Sequence, residues 1–522
     1  MIPTLSHILQ LTDFAEQQRS MVKFVTELHT LSATEQSEIL QALHAFCAQQ
    51  EETNREAACQ VAGLIIGRMT QLEMQKPLSW TNEQLQQIGY LYDQAPASSN
   101  LRNQLLGLLA TLGSQVALNL WEDRVCQDPP QHRSGIILAF APLMEHRAEL
   151  TQPLFDKLLT RAFSHLPVAA AVLDLANFAF RSGLLVPHPA ASRAEQLTVL
   201  LGELAGQMAR IEEGSIPENW EPLQISQTVS DAVALIIPIC DALALMEHEA
   251  AIGKLNQVLD LKHRRLQTEA AAALAKLEDE RGRQALIDLA EHPSVRTRVL
   301  AYADELGLGS QISLEYQGDI ATAEAHLATW LAEPEQMGIA PSEMKLRDNR
   351  ELNWPSYEHP VQCYLFEYRY GSGDQAYRNL GISGPLTHAF SADLTHLSRL
   401  DTYAAFAGWQ TTHQEVFAVP IDRARQAMPG VVAKLEQQVD TEQYSEIEPL
   451  ALAGFFGEYQ LVVSARPAGT DETGTGTLVV GSDRSDWIES GNRAAPIDWT
   501  VALDIWRGRR LLVNFNSAEQ FE

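Results

Sequence analysis

The sequence predicts two folds in one chain: an all-α solenoid over residues 1–310 and an α+β domain over residues 356–522, with a helix and linker at 311–355. Three observations predict this. At 522 residues and 45% hydrophobic, the chain exceeds what a single core organises. One helical register recurs along its first three-fifths. Past Gly309 that register stops, and short alternating runs rich in aromatic and β-branched residues take over.

The register is concrete. Leu101-Arg102 is followed by Leu105-Leu106, Leu109, Leu112 and Gly113, and Val295-Arg296 by Val299-Leu300, Ala303, Leu306 and Gly307. An apolar-Arg step opens each, apolar residues follow at helical intervals, and a glycine suited to the left-handed position stops the helix. Arg133 and Arg55 head the same pattern, Gln267 heads it without the arginine, and weaker copies start near Val168 and Ser230. Another helix precedes each. Thr81-x-x-Gln84 and Ser32-x-x-Glu35 read as capping boxes, and Glu291-His292-Pro293 turns the chain into Val295-Arg296. Between about 180 and 230 the register fades into stretches rich in proline and serine, which predict long loops.

On these residues, and most closely on "HPSVRTRVLAYADELGLG", the chain resembles HEAT-repeat (armadillo-like) proteins. The resemblance implies a curved stack of helix pairs. It also implies that Arg55, Arg102, Arg133 and Arg296 lie between neighbouring repeats, bonded to acidic or carbonyl groups. Such an array exposes a long concave face suited to binding another protein. The competing reading is a compact helical domain without a groove.

The second domain reads as follows. Residues 321–331 form a helix, and "RDNRELNWPSYEHP" is a linker or irregular lead-in. "VQCYLFEYRY" and "YRNLGISGP" are strands, "LTHLSRLDTYAAFAGWQTTHQ" is a helix, and "DRARQAMPGVVAKLEQQV" is a helix broken near Pro429-Gly430. "YQLVVSARP" and "GTLVVGS" are strands flanking the loop "AGTDETGT". Last, "DWTVALDIW" and "RRLLVNFN" pair across a tight turn containing Gly508.

Charge narrows the function classes. Lys and Arg number 38 against 67 Asp and Glu, a net charge of -29. Up to residue 310 there are 23 basic and 37 acidic residues, and beyond it 15 and 30, so the acidity is no tail. A surface of this sign repels a polyanion, which argues against nucleic acid as a partner. It favours encounter with a basic protein, or serves solubility alone. No stretch reads as a membrane span or a leader peptide. The five cysteines (Cys47, Cys59, Cys126, Cys240, Cys363) are odd in number and form no C-x-x-C pair, which points to a reducing, cytoplasmic setting.

Three features of the second domain carry candidate chemistry. Gly381-Ile-Ser383-Gly-Pro385 is close to a nucleophile elbow, but Pro385 stands where the last glycine belongs. With His388 and the aromatics Tyr370, Tyr377 and Trp409 it could line an enzyme or sensor pocket; the simpler reading is a turn beside core aromatics. His359, Cys363, His388, His396 and His413 are near in sequence, but only His359-x3-Cys363 has ligand spacing, so no metal or other cofactor is expected. Trp506-Arg507-Gly508-Arg509-Arg510 is a basic knot of residues favoured at interfaces, or a solvated hairpin tip. The expectation is a non-enzymatic protein-binding adaptor. The alternatives are an inhibitor or immunity-type protein that captures a basic partner, and an enzyme or small-molecule sensor built on the second domain.

Overall fold

In the computed structural model, all residues are described except 1, 12, 50–51, 146–149, 216–219, 372, 374–375, 412–416, 456, 469–474, 490–497, 518–519 and 521–522; of 2, 3, 14, 52 and 53 only the backbone is described. The chain divides into two compact units, Met1–Leu286 and Ile287–Glu522. The first is all-α and the second is α+β. The repeat unit headed by Val295-Arg296 therefore belongs to the second.

The first unit consists of α1 (Ile2–Leu9), α2 (Phe14–Glu27), α3 (Ala33–Gln49), α4 (Glu52–Gln75), α5 (Asn82–Gln94), α6 (Asn100–Leu112), α7 (Gln115–Gln127), α8 (Arg133–Glu145), α9 (Gln152–Arg161), α10 (Leu166–Arg181), α11 (Ala194–Glu212), α12 (Pro222–Leu245), α13 (Ile252–Leu259), α14 (Arg264–Lys276) and the start of α15 (Glu280–Leu289). Local chemistry sets their ends. Thr81 and Gln84 close a full capping box on α5, and Ser32 and Glu35 exchange both bonds of the box ahead of α3. Gly113 adopts φ 61° after α6, a conformation that any Cβ would penalise.

The helices stack serially in two layers. Even-numbered helices pack in the order α2, α4, α6, α8, α10, α12, α14; odd-numbered ones in the order α1, α3, α5, α7, α9, and again α11 on α13. Each layer buries the apolar face that the register marks, as with Leu101, Leu105, Leu106 and Leu109 of α6. The expected loops at 180–230 are only partly loops. Residues 182–193 lie outside any α-helix, but α11 and the start of α12 fall inside this stretch. Among the described residues α12 is long and apolar enough to cross a bilayer, yet 56% of its most apolar window is buried in the fold, as Ala232–Ala244 pack as core.

In the second unit, α16 (Pro293–Glu305) packs on α17 (Asp319–Leu331). β1 (Glu343–Leu352), β2 (Val361–Tyr370), β3 (Tyr377–Ser383) and β4 (His388–Ala389) form an antiparallel meander, sheet A. After α18 (Arg399–Gln410) comes β5 (Phe417–Pro420), then α19 (Ile421–Ala427) and α20 (Pro429–Glu436). β6 (Tyr444–Phe455), β7 (Glu458–Pro467), β8 (Gly476–Val480) and β9 (Ser485–Glu489) form a second meander, which β5 extends into the five strands of sheet B. α21 (Trp499–Phe515) ends the fold.

Both sheets are covered on both faces. Tyr364, Phe366 and Tyr368 of sheet A meet Leu327 and Leu331 of α17. Its other face, Cys363, Leu365, Leu380 and Ile382, shares one core with α18, α21 and the Ala451, Ala453, Val462 and Val479 face of sheet B. The far face of sheet B packs on α19 and α20 through Leu452, Leu461, Val463 and Leu478. The layers run α17, sheet A, the α18–α21 pair, sheet B, α19–α20.

Two expectations are corrected here. The supposed lead-in around "RDNREL" is most of β1. It is an edge strand whose alternate residues are charged or polar and face solvent, so the aromatic and β-branched signature of a strand is missing. The C-terminal hairpin around Gly508 is the single helix α21. "TVALDIW" fits a period of two as well as a helix, and Gly508 serves a close helix contact instead of a turn.

Candidate functional site

The register arginines divide by depth. Arg102 is buried. Its Nε donates to the Ala95 carbonyl beyond α5 (2.9 Å), its Nη1 to Asp128 beyond α7 (2.7 Å), and its guanidinium lies 4.8 Å from the Tyr92 ring centre. Arg296 repeats the plan. It donates to the Ala290, Glu291 and Ala321 carbonyls and to Glu324 of α17 (2.7 Å), with Tyr316 beneath it at 5.2 Å. Each side chain thus joins the end of the preceding helix to an acid on the next element. Arg55 is half-buried beside the Cys47 and Cys59 thiols of α3 and α4. Arg133 departs from the expectation and is exposed. Arg133 stands at the first position of α8, and its charge bears on Asp174 of the neighbouring helix α10.

Further arginines, not singled out by the register, stitch successive helices within a layer. Arg124 of α7 reaches Asp93 of α5 (2.9 Å), Arg161 of α9 reaches Glu122 (2.8 Å) and Asp123 (2.7 Å) of α7, and Arg181 of α10 pairs with Asp241 of α12. They sit on outward faces, where spacing alone does not set them apart from ordinary surface charge.

Two surface features of the first unit suit a partner. Between α7 and α9 lies a cleft of about 640 Å³, lined by Asn119, Glu122, Asp123, Asp156, Lys157, Thr160 and Arg161. Arg161 is already held by Glu122 and Asp123, and the hydrogen bond it donates to Asp123 raises its pKa. On α8, Ile137 (57% exposed) and Leu138 (51%) stand out with Met144, an apolar set on the outward side of an even-layer helix.

The structure brings only some of the C-terminal candidates together: His388 meets Trp409, and Tyr370 lies beside Tyr377. Trp506 is buried in the core and cannot dock on a partner. Its neighbours are committed inside the unit: Arg507 to Asp504 (2.8 Å), Arg509 to Asp401 (2.5 Å), and Arg510 to Glu458 (3.2 Å) and to the Trp506 ring (4.2 Å). A helix turns these side chains to different neighbours, where a hairpin tip would have offered them to solvent. Burial pushes the Asp504 carboxyl up to about 6. The Ser383 hydroxyl is buried and makes no hydrogen bond among the described residues. His388 lies flat on Trp409, ring centres 3.7 Å apart, with Phe390, Phe406 and Trp330 edge-on around it. Cys363 is buried and its thiol is pushed up to about 12, while His359 is exposed. His396 is half-buried, and His413 lies outside the described residues. Among the described residues no three His, Cys, Asp or Glu side chains are grouped to hold a metal.

No family model matches the chain. No curated protein matches it. Among solved structures, the crystal structure of an engineered protein is similar at 13% identity over 64% of this chain and 89% of that one. Its TM-score of 0.23 is too low to support a shared fold.

Burial also sets a pH response. His188 accepts from the Ala190 N–H at Nδ1 (3.1 Å) and bonds Asn177 through Nε2 (3.0 Å), which fixes a neutral ring held down to about 4 by burial. Burial lowers His388 to about 4 as well. An unfolded histidine takes up its proton near pH 6.5, before the folded one does. Stability is therefore full above about 6.5 and falls as pH drops toward 4, by about 3 kcal/mol for His188. Urea titrations at pH 7 and pH 4.5 are expected to show this loss for the chain and a smaller one for His188→Gln; equal losses would remove His188 as the cause.

Proposed function

We propose that the chain is a non-enzymatic protein-binding adaptor of HEAT-repeat type, working in the cytoplasm, with its helical array as the docking platform. The serial stacking of paired helices in two layers carries this reading. Such a stack touches only its neighbours and leaves a long face on each side, concave in HEAT arrays, for a partner to lie along. Buried Arg102 and Arg296 support the repeat assignment, and five cysteines with buried, free thiols support a reducing compartment. The outward Ile137 and Leu138 supply apolar anchors of the kind that dominate interfaces.

The test is capture of partners from the native cell by the tagged full chain. Ile137→Asp with Leu138→Asp is expected to cut recovery of a specific partner at least about tenfold, the effect of losing about 1.4 kcal/mol, with an unchanged melting temperature. Undiminished recovery would rule out this surface. A second reading, capture of a basic protein, is favoured by the net charge. It requires binding that weakens steeply with salt; binding indifferent to salt speaks for the apolar face.

A further inference from the structure

The outer helix on sheet B is shorter than the strand it packs on. α20 has 8 residues and β7 has 10. At helical and extended rises these span about 12 Å and about 33 Å. A helix of that length cannot shield the whole strand, and the start of β7 is left open. Side chains alternate along β7, so Tyr459 points to the same face as Leu461 and Val463. Those two are buried in the core shared with α20, whereas Tyr459 is 39% exposed. Phe417 of β5 stands beside it, ring centres 6.1 Å apart. The Phe417 ring lies over Gly454, where a Cβ would come within 2.3 Å of it, so any larger residue there would push the ring away.

Between this end of sheet B and α20 lies a hollow of about 340 Å³. Val431, Lys434 and Leu435 line it from α20, at i, i+3 and i+4 and hence from one side of the helix. Tyr459 and Ser482 line it from the sheet. The pairing of Leu461 with Val480 continues outward to bring 459 and 482 level. The space is more than twice that of a cavity of about 150 Å³ that takes up benzene.

The charges around the hollow are settled except one. Glu458 is held by Arg510 (3.2 Å), and Glu436 of α20 by Arg425 (2.8 Å). Among the described residues Lys434 makes no ion pair or hydrogen bond, and the Tyr459 and Ser482 hydroxyls make no hydrogen bond. Lys434 and Arg510 stand against Glu458 alone, a local surplus of positive charge in a chain of net charge -29. An apolar wall with a few convergent polar groups is the ordinary make-up of a small-molecule site.

We propose that this hollow binds a small amphipathic monoanion, an alkyl- or arylcarboxylate whose charge meets Lys434 and whose apolar body lies along Tyr459, Val431 and Leu435. The two hydroxyls supply donors for the second carboxylate oxygen. One lysine suits a single negative charge, whereas a phosphate ester would need more cations than stand here and would be repelled by the acidic surface around it. A cationic ligand would find Glu458 already paired. This site does not rest on the adaptor reading, which concerns the first unit.

The test is saturation-transfer NMR of the full chain with 4-phenylbutyrate, against 4-phenylbutan-1-ol as its uncharged match. The butyrate has about twelve non-hydrogen atoms, for which a Kd of about 1 mM is expected. The alcohol should bind about tenfold more weakly. Lys434→Met keeps the apolar stem and removes the charge. It should weaken the butyrate about tenfold, leave the alcohol unchanged and leave the melting temperature unchanged, because the side chain is exposed. Lys434→Arg should restore butyrate binding, and Tyr459→Ala should weaken both probes about fivefold or more. The site is overturned by butyrate that does not saturate the full chain at about 20 mM, some twentyfold above the expected Kd. It is overturned equally by alcohol that binds as well as butyrate, or by butyrate binding that neither Lys434→Met nor Tyr459→Ala alters.

Discussion

Alanine at Gly508 is expected to destabilise the C-terminal unit by about 4 kcal/mol or more, beyond the range of ordinary overpacking. The reason is geometric. The new Cβ would meet the carbonyl oxygen of Ala404 at 1.8 Å and its Cα at 2.6 Å, and both belong to helix backbone that no rotamer change can move. The helices must separate by more than 1 Å. That opens the core holding Trp506, Tyr403, Phe406 and the inner faces of both sheets. Gly408→Ala should behave alike, because it meets the Asp504 carbonyl in the same way. Gly430→Ala, on α20 with open space around it, is the control and should shift stability by less than about 1 kcal/mol. Guanidinium unfolding followed by tryptophan fluorescence checks this, since six of the nine tryptophans lie in the C-terminal unit. A Gly508→Ala chain as stable as the control would mean that the two helices are not in the contact described.

Gly508 also shows where sequence reasoning reaches its limit. Its meaning depends on Ala404, far earlier in the chain, and nothing nearby distinguishes a turn glycine from a helix-crossing glycine. The same holds for β1, a strand by virtue of pairing with β2 and not of its own residues. Where local pattern and tertiary role agree, the sequence is readable. β2, β3, β7 and β8 carry strand composition because both faces of their sheets are buried, and the capping boxes at Thr81 and Ser32 act within one turn. The repeat arginines fall between these cases. Their register repeats, so Arg102 and Arg296 could be singled out. The register does not set burial, since Arg133 shares it and is exposed. Asn379 carried no signal at all. It sits fully buried at the centre of β3, accepts from the N–H groups of Leu380 and Leu394, and donates to the carbonyls of Phe390 and Ala392, fastening a loop that no short motif marks.

Methionine at Arg296 is the second large effect, a loss of about 3–5 kcal/mol. The side chain is buried and donates to three carbonyls and one carboxylate from four nitrogen–hydrogen directions. Methionine fills much of the same volume but satisfies none of these acceptors, and an acceptor stranded away from water costs more than the hydrogen bond it loses. Lysine should recover only part of the loss. It keeps the charge near Glu324 but cannot fork to the carbonyls of Ala290, Glu291 and Ala321 together. Adding Glu324→Gln to Arg296→Met should cost less than the sum of the two single changes, since the second removes the carboxylate that the first leaves without its partner. Arg281, whose pair with Asp260 is exposed on both sides, should lose less than about 1 kcal/mol on the same change to methionine. The contrast separates two roles that charge counts merge, because only an arginine with its head withdrawn from water fixes how the helix before it and the helix after it are joined. If Arg296→Met and Arg281→Met proved equally mild in chemical denaturation, the buried arginine would not be what sets that junction.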